Sequence, residues 1–255
     1  MTIIYKYKFF VYIKCITLNE KLMNNVVYAA YVFLALAIIG ALFTIFVRNK
    51  KGGATYFIVK CFSSSIFVLL AILGALSRND NKELSLFIIA GLVFGFLGDC
   101  ILGAKEINKD ISKKLFIISG ILAFLIGHVL FSTGFILYSG VNLTVFMVPL
   151  GLSIVALIVF ILLKYDVKPF LYAILWIYAF LEVLMASSAF NLIDGLNNPG
   201  FIVAFVGALF FCISDAVLSF IYFGPKKGNK NVLVAIELST YYLGQILIAS
   251  SIIFM

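Results

Sequence analysis

Asp99 and Asp215 are the residues of this chain best suited to chemistry. Asp99 stands in Gly98-Asp99-Cys100-Ile101-Leu102, and a near copy recurs as Ser214-Asp215-Ala216-Val217-Leu218. Both read small residue, Asp, two residues, Leu, and both lie inside apolar runs. A carboxylate in hydrocarbon is costly, and an intramembrane Asp therefore marks an ion pair, a proton relay or a catalytic group. Asp is too short to snorkel to the headgroups, and neither residue sits at a helix start, where the dipole would favour an anion. Two acids in matching settings are read as the working centre of a membrane enzyme.

The elements that must position them follow from composition. Of 255 residues, 64% are hydrophobic and 12% charged, about half the charged share of a soluble domain. Apolar runs of about 20 residues, the length a helix needs to cross a bilayer, recur along nearly the whole chain. The alternation of a lipid-facing barrel is absent. The reading is an all-α, polytopic membrane helix bundle with eight transmembrane helices, near 25–47, 54–76, 84–104, 113–137, 143–163, 170–191, 200–223 and 232–254. Gly52-Gly53, Asn79-Asp80-Asn81 and Gly224-Pro225 punctuate it, Pro169 and Pro199 sit at helix starts, and Pro149 is expected to kink the fifth span. Residues 1–24 form either an N-terminal basic, amphipathic segment or a mis-called start before Met23, and 25–255 the transmembrane domain. The two Asp stretches are four helices apart, which raises a parallel repeat of four helices.

The net charge of +8 does not point to nucleic acid. Lys and Arg concentrate in loops 48–53, 105–114, 164–169 and 224–231, against Arg78 and Lys82 on the other side and four lysines in the N-terminal segment. The positive-inside rule places those four loops in the cytoplasm. Cys15, Cys61, Cys100 and Cys212 form no Cys-x-x-Cys pair, and are read as unpaired thiols rather than a disulfide frame or metal site.

At 1.5 Å per residue, Asp99 lies about 8 Å and Asp215 about 12 Å below the basic face, Lys60 about 9 Å and Glu237 about 8 Å. Glu182 and Gln245 are nearer the midplane, and His128 is near or past it. The crowding in one half of the bilayer implies a hydrated cavity open to that side, with the two aspartates facing each other across it. Bland alternatives stand beside each of the others. Lys60 and Glu237 can snorkel outward, and for Glu237 this is the preferred reading. His128 can be a hydrogen-bonded packing residue. Tyr178, Tyr241 and Tyr242 can be aromatic bulk.

The set resembles the YhhN-like family of eight-span membrane proteins, whose characterised animal members are lysoplasmalogenases. The matching pieces are Gly98-Asp99 with Leu102; Gly127-His128; Gly207-Ala208-Leu209-Phe210 running into Ser214-Asp215 and Leu218; and Tyr241-Tyr242 with Gln245. Lys60, and Tyr178 with Met185, match more weakly. The order holds from about residue 25 to the end. Cys61 follows Lys60 where the family often has Pro, and Phe131 stands where a Tyr is common. The resemblance implies hydrolysis of a lysophospholipid vinyl ether to a fatty aldehyde and a glycerophospho-alcohol. It needs no cofactor or metal.

Protonation of an alkene carbon gives an oxocarbenium ion, water adds, and the hemiacetal collapses. One carboxyl must be protonated and a second ionised, and two nearby carboxyls in a poorly solvated site separate in that way. Glycosidases meet a similar cation with two carboxyls. In this reading Asp99 and Asp215 are catalytic, Lys60 holds the phosphate, and His128, Tyr178, Glu182, Ser214, Tyr241, Tyr242 and Gln245 orient water or substrate. Ser214 lacks the surroundings of a nucleophile, and the single His argues against a zinc hydrolase. A metal site of Asp99, Asp215, Glu182 and His128, an ion-coupled transporter using the same acids, and a lipid-binding sensor are the other readings.

Overall fold

The computed structural model describes residues 2–50, 53–77, 81–108, 112–193, 198–225 and 229–255, with side chains described from Met23 onward except Asn49. Expectations at Lys51-Gly52, Arg78-Asn79-Asp80, Lys109 and Lys226-Lys227, and at the N-terminal lysine side chains, lie outside the described residues. Among those described there are eight helices and no strand: α1 (Thr2–Lys50), α2 (Gly53–Ser77), α3 (Lys82–Ala104), α4 (Lys113–Ser139), α5 (Leu143–Leu162), α6 (Pro169–Asn191), α7 (Pro199–Phe223) and α8 (Lys230–Phe254). In α1 the membrane-length apolar stretch is Met23–Arg48; the other seven helices are each long and apolar enough to cross a bilayer over their full length. The expected spans agree to within a few residues.

Local chemistry sets the ends. Pro169 and Pro199 occupy the first turns of α6 and α7, where an imide costs no hydrogen bond. Asn142, Asn198 and Asn229 cap α5, α7 and α8, each side chain accepting from a backbone N–H two residues on. Gly224 ends α7, its N–H donating to Phe220 O. Helix α5 continues through Pro149 as one element.

The bundle is polar inside and apolar outside. Lys60, Asp99, His128, Glu182, Asp215, Glu237 and Gln245 are buried, while Leu42, Phe62, Leu86, Leu152 and Phe170 face outward. That distribution suits lipid as the surrounding solvent, where apolar exposure is neutral and polar groups must be satisfied internally. The chain is an integral, multi-pass membrane protein.

Packing follows the four-helix shift. The pairs α1/α2, α2/α3, α3/α4 and α2/α8 become α5/α6, α6/α7, α7/α8 and α6/α4, and all of these are in contact. The shift is incomplete: α1 packs on α8 as well as α2, whereas among the described residues α5 packs on α6 alone; the counterpart of α3/α8 is α7/α4, which meet through side chains, His128 on Asp215.

Small residues set a close crossing in each half. A Cβ on Gly127 of α4 would meet Gly91 O of α3 at 3.1 Å, and a Cβ on Gly244 of α8 would meet Gly207 O of α7 at 2.9 Å. Each aspartate follows its crossing glycine by eight residues, Gly91 to Asp99 and Gly207 to Asp215. The backbone contact therefore fixes where each acid enters the interior.

Candidate active site

Asp99 is fully buried on α3. Lys60 of α2 brings its Nζ to 2.9 Å from Oδ1. The other carboxylate oxygen accepts from Ser64 of α2 and from the Tyr241 hydroxyl of α8, the latter at 2.7 Å. Tyr242 OH lies 3.4 Å from Ser64 Oγ. Lys60 and Ser64 are four residues apart on one helix face, so α2 presents a cation and a hydroxyl to the same acid. Lys60 is only 4% exposed. It points inward, and snorkelling is not its role.

Asp215 has a different set of partners. Its Oδ2 accepts from the Tyr178 hydroxyl of α6 and lies 3.1 Å from His128 Nε2 of α4. The same His128 nitrogen is 3.2 Å from Tyr178 OH, and Nδ1 faces Met185 Sδ at 3.5 Å. Glu182, one turn beyond Tyr178 on α6, is buried within electrostatic reach of Asp215, and its Oε1 has no hydrogen-bond partner. His128 is therefore a site residue with a polar partner on one nitrogen and sulfur on the other.

The four-helix shift applies to the site as well. Each acid is held by the preceding helix of its own half and by the last helix of the other half: α2 and α8 for Asp99, α6 and α4 for Asp215. The two networks share no residue among these bonds. Phe211 stands between them, its ring 4.8 Å from the His128 ring and 5.5 Å from the Tyr241 ring, both edge-on. Phe124 closes the wall, 6.3 Å from Phe211 and 5.7 Å from Tyr241. Two carboxylates facing each other across one open space are thus not what the bundle presents.

What the two share lies above them. A pocket of about 340 Å³ opens at the lysine-rich end, between α1, α2, α3, α4, α7 and α8. Lys60 and Glu237 line it, with Leu102 and Leu218, each one turn above its aspartate. Glu237 is 8% exposed and lies within electrostatic reach of Lys60, Asp99 and Asp215. The expectation that it reaches the headgroups is corrected here, because its side chain belongs to the interior.

The remaining expected residues divide. Ser214 donates to the backbone carbonyl of Glu237 at 3.1 Å, a link between α7 and α8. Gln245 is fully buried beside Tyr241; a Cβ on Gly95 would meet its Nε2 at 2.7 Å, so it lies against the Asp99 helix. Ser64 was not singled out in the sequence. A serine in an apolar run is ordinary, and only its spacing from Lys60 marks it. Cys61, Cys100 and Cys212 are free and half-buried. Among the described residues no three of His, Cys, Asp and Glu converge to hold a metal ion, so Asp99, Asp215, Glu182 and His128 do not assemble into one.

In chemical terms the arrangement offers one carboxylate fixed against an ammonium and a second set of carboxyl, phenol and imidazole groups without a permanent cation. No curated protein and no solved structure matches the chain. Residues 55–252, which include Lys60, both aspartates and all their side-chain partners, match the YhhN family, and the chain belongs to that family.

Proposed function

We propose that the protein is a membrane lipid hydrolase that cleaves the vinyl ether of lysoplasmalogen-type lysophospholipids. The observation that carries the reading is the pair of buried aspartates, each with its own donors, one turn below residues that line a pocket at the lysine-rich ends of the helices. Family membership supplies the reaction class. By the excess of Lys and Arg, the pocket face is assigned to the cytoplasm.

The overall reaction is R–CH=CH–O–R′ plus water giving R–CH₂–CHO and HO–R′. A proton adds to the outer alkene carbon, the adjoining carbon becomes an oxocarbenium ion, water attacks it, and the hemiacetal breaks to aldehyde and alcohol. Asp99, fixed against Lys60, suits the ionised role that shadows the cation and orients water. The Asp215, His128, Tyr178 and Glu182 cluster carries exchangeable protons and suits the donor role. With Phe211 and Phe124 between the clusters, the substrate must lie along that wall to meet both. Glu237, within reach of each side, is placed to pass protons between pocket and interior.

The test is mass-spectrometric detection of fatty aldehyde from a 1-alkenyl lysolipid incubated with purified protein in detergent. Release by the wild type supports the reading, and no release from any vinyl-ether lysolipid overturns it. The repeated helix pairing favours one second reading, an ion-coupled carrier for a small molecule or lipid using the same acids. Uptake into proteoliposomes without aldehyde would establish that instead.

A further inference from the structure

Cys61 and Cys100 take no part in the chemistry described so far, yet the chain sets them beside it. Cys61 follows Lys60 on α2, and Cys100 follows Asp99 on α3. The two helices run antiparallel in one register, with Phe57 opposite Gly103 and Lys60 opposite Asp99. A Cβ on Gly103 would lie 3.7 Å from the Phe57 Cα, so the backbones approach closely there. Cys61 falls one turn after Phe57, and Cys100 one turn before Gly103. Their thiols are hydrogen-bond partners across the α2/α3 seam, within electrostatic reach of Lys60 and Asp99. A disulfide requires Cα atoms no more than about 7 Å apart and converging Cβ vectors. Gly103 permits the approach, and the touching thiols show the convergence.

The pair borders lipid. Cys61 and Cys100 are half-buried, and Ile58, Phe62 and Leu97 around them are exposed. The outer side of the seam therefore meets acyl chains, and the reagents that reach it are those dissolved in the bilayer. A disulfide is uncharged, like the two thiols it replaces. A sulfinic or sulfonic acid would put an anion into hydrocarbon. The setting favours joining the two sulfurs over further oxidation of either.

We propose that Cys61 and Cys100 are a redox-sensitive dithiol that closes to an interhelix disulfide with a lipid hydroperoxide. The sulfur of one cysteine attacks the terminal oxygen of R–O–O–H. The O–O bond breaks, a sulfenic acid forms, and the leaving alkoxide takes the thiol proton as R–OH. The second sulfur displaces hydroxide from the sulfenic sulfur, and its proton leaves with that hydroxide as water. Two thiols and one hydroperoxide give disulfide, alcohol and water; sulfur is oxidised and peroxide oxygen reduced. The bond draws the sulfurs inside their non-bonded contact and pins α2 to α3 beside Lys60 and Asp99. On the hydrolase reading this displaces the ionised carboxylate, and catalysis tolerates little misplacement. A thiol reductant reverses the bond.

The experiment uses the full-length protein in phospholipid nanodiscs, treated with a phospholipid hydroperoxide or, in a parallel arm, with aqueous hydrogen peroxide. Free thiols are then alkylated and the protein is digested for mass spectrometry. The expected product of the lipid arm is a Cys61 peptide joined to a Cys100 peptide. It is released by dithiothreitol and absent from Cys61→Ala and from Cys100→Ala. Unlinked cysteines, oxyacids at separate sulfurs, or Cys61 joined to Cys15 or Cys212 overturn the dithiol. Hydrogen peroxide linking the pair as fast as the same total amount of lipid hydroperoxide overturns the lipid-phase source. The oxidised protein is expected to release aldehyde about tenfold more slowly, to recover on reduction, and to show no such response as Cys61→Ala. Linkage with unchanged turnover overturns the regulatory role. If the reduced protein releases no aldehyde, the hydrolase reading fails, and the linked peptide still decides the dithiol.

Discussion

Asp99 and Asp215 occupy equivalent places in the two halves of the bundle and are held by different chemistry. Around Asp99 the neighbouring helix supplies an ammonium, Lys60 at 2.9 Å, and a serine. Around Asp215 the corresponding helix supplies a phenol and a second carboxyl, Tyr178 and Glu182, and the far helix supplies His128. The scaffold repeats and the charge does not. One half maintains a fixed ion pair, and the other sets a carboxylate among a phenol, an imidazole and a second carboxyl. In the proposed hydrolysis, a repeat of this kind separates two roles that a single carboxyl cannot hold at once.

The most direct way to break the comparison is to neutralise each acid. Asp99→Asn and Asp215→Asn should each lower aldehyde release by about a thousandfold, the scale of a lost acid or base. They should differ in a second readout. Asp99→Asn leaves the Lys60 ammonium buried without its partner and should lower the thermal unfolding temperature, whereas Asp215→Asn, which strands no permanent charge, should change it little. Equal stability of the two variants would contradict the assignment of the fixed pair to Asp99.

Lys60→Met tests the same pair from the other side. An uncompensated buried carboxylate costs about 3–5 kcal/mol, and the variant is expected to unfold well below wild type in detergent. His128→Gln, which removes a ring but no permanent charge, should cost about 1–3 kcal/mol. The pair of variants is read by the intrinsic fluorescence of Trp176, the one tryptophan in the chain. A smaller effect at Lys60 than at His128 would reverse the proposed division.

Hydroxyl deletions sharpen it further. Tyr178→Phe and Tyr241→Phe each remove one hydrogen bond to a carboxylate. Tyr178→Phe is expected to reduce kcat about tenfold, the scale of one charge-assisted bond. Tyr241→Phe should do less, because Lys60 and Ser64 still hold Asp99. The smallest difference concerns the two crossings. Gly244→Ala and Gly127→Ala should each destabilise by about 1–3 kcal/mol. Gly244 should be the worse, since its Cβ would meet both Gly207 O and Phe211 N at 2.9 Å, while at Gly127 the nearest atom is Gly91 O at 3.1 Å. Melting curves of the two variants decide the order.

Much of this could be read before any coordinates. Lipid demands long apolar runs, so the eight spans were visible. Asp in such a run has no route to water, so Asp99 and Asp215 were visible too. Long side chains are different. Lys60 and Glu237 can reach the interface or turn inward from the same position, and only packing decides; both turn inward. Arg48, Lys105, Lys113 and Lys230 read as markers of topology, because loop charges serve orientation in every polytopic protein. Their convergence on one pocket depends on which helix ends are neighbours. The partner exchange between halves was also hidden. Helical period places a residue on a face, but it does not say that His128 belongs with Asp215 and Tyr241 with Asp99.

That exchange bears on biogenesis. A chain inserted from its N-terminus delivers Asp99 with Lys60 and Ser64 at hand, but its Tyr241 partner arrives only with the final helix. His128 waits in turn for Tyr178 and then for Asp215. Neither half can complete its own polar interior, so a chain halted after four helices would leave His128 facing lipid or a vacancy, a ready signal for membrane quality control.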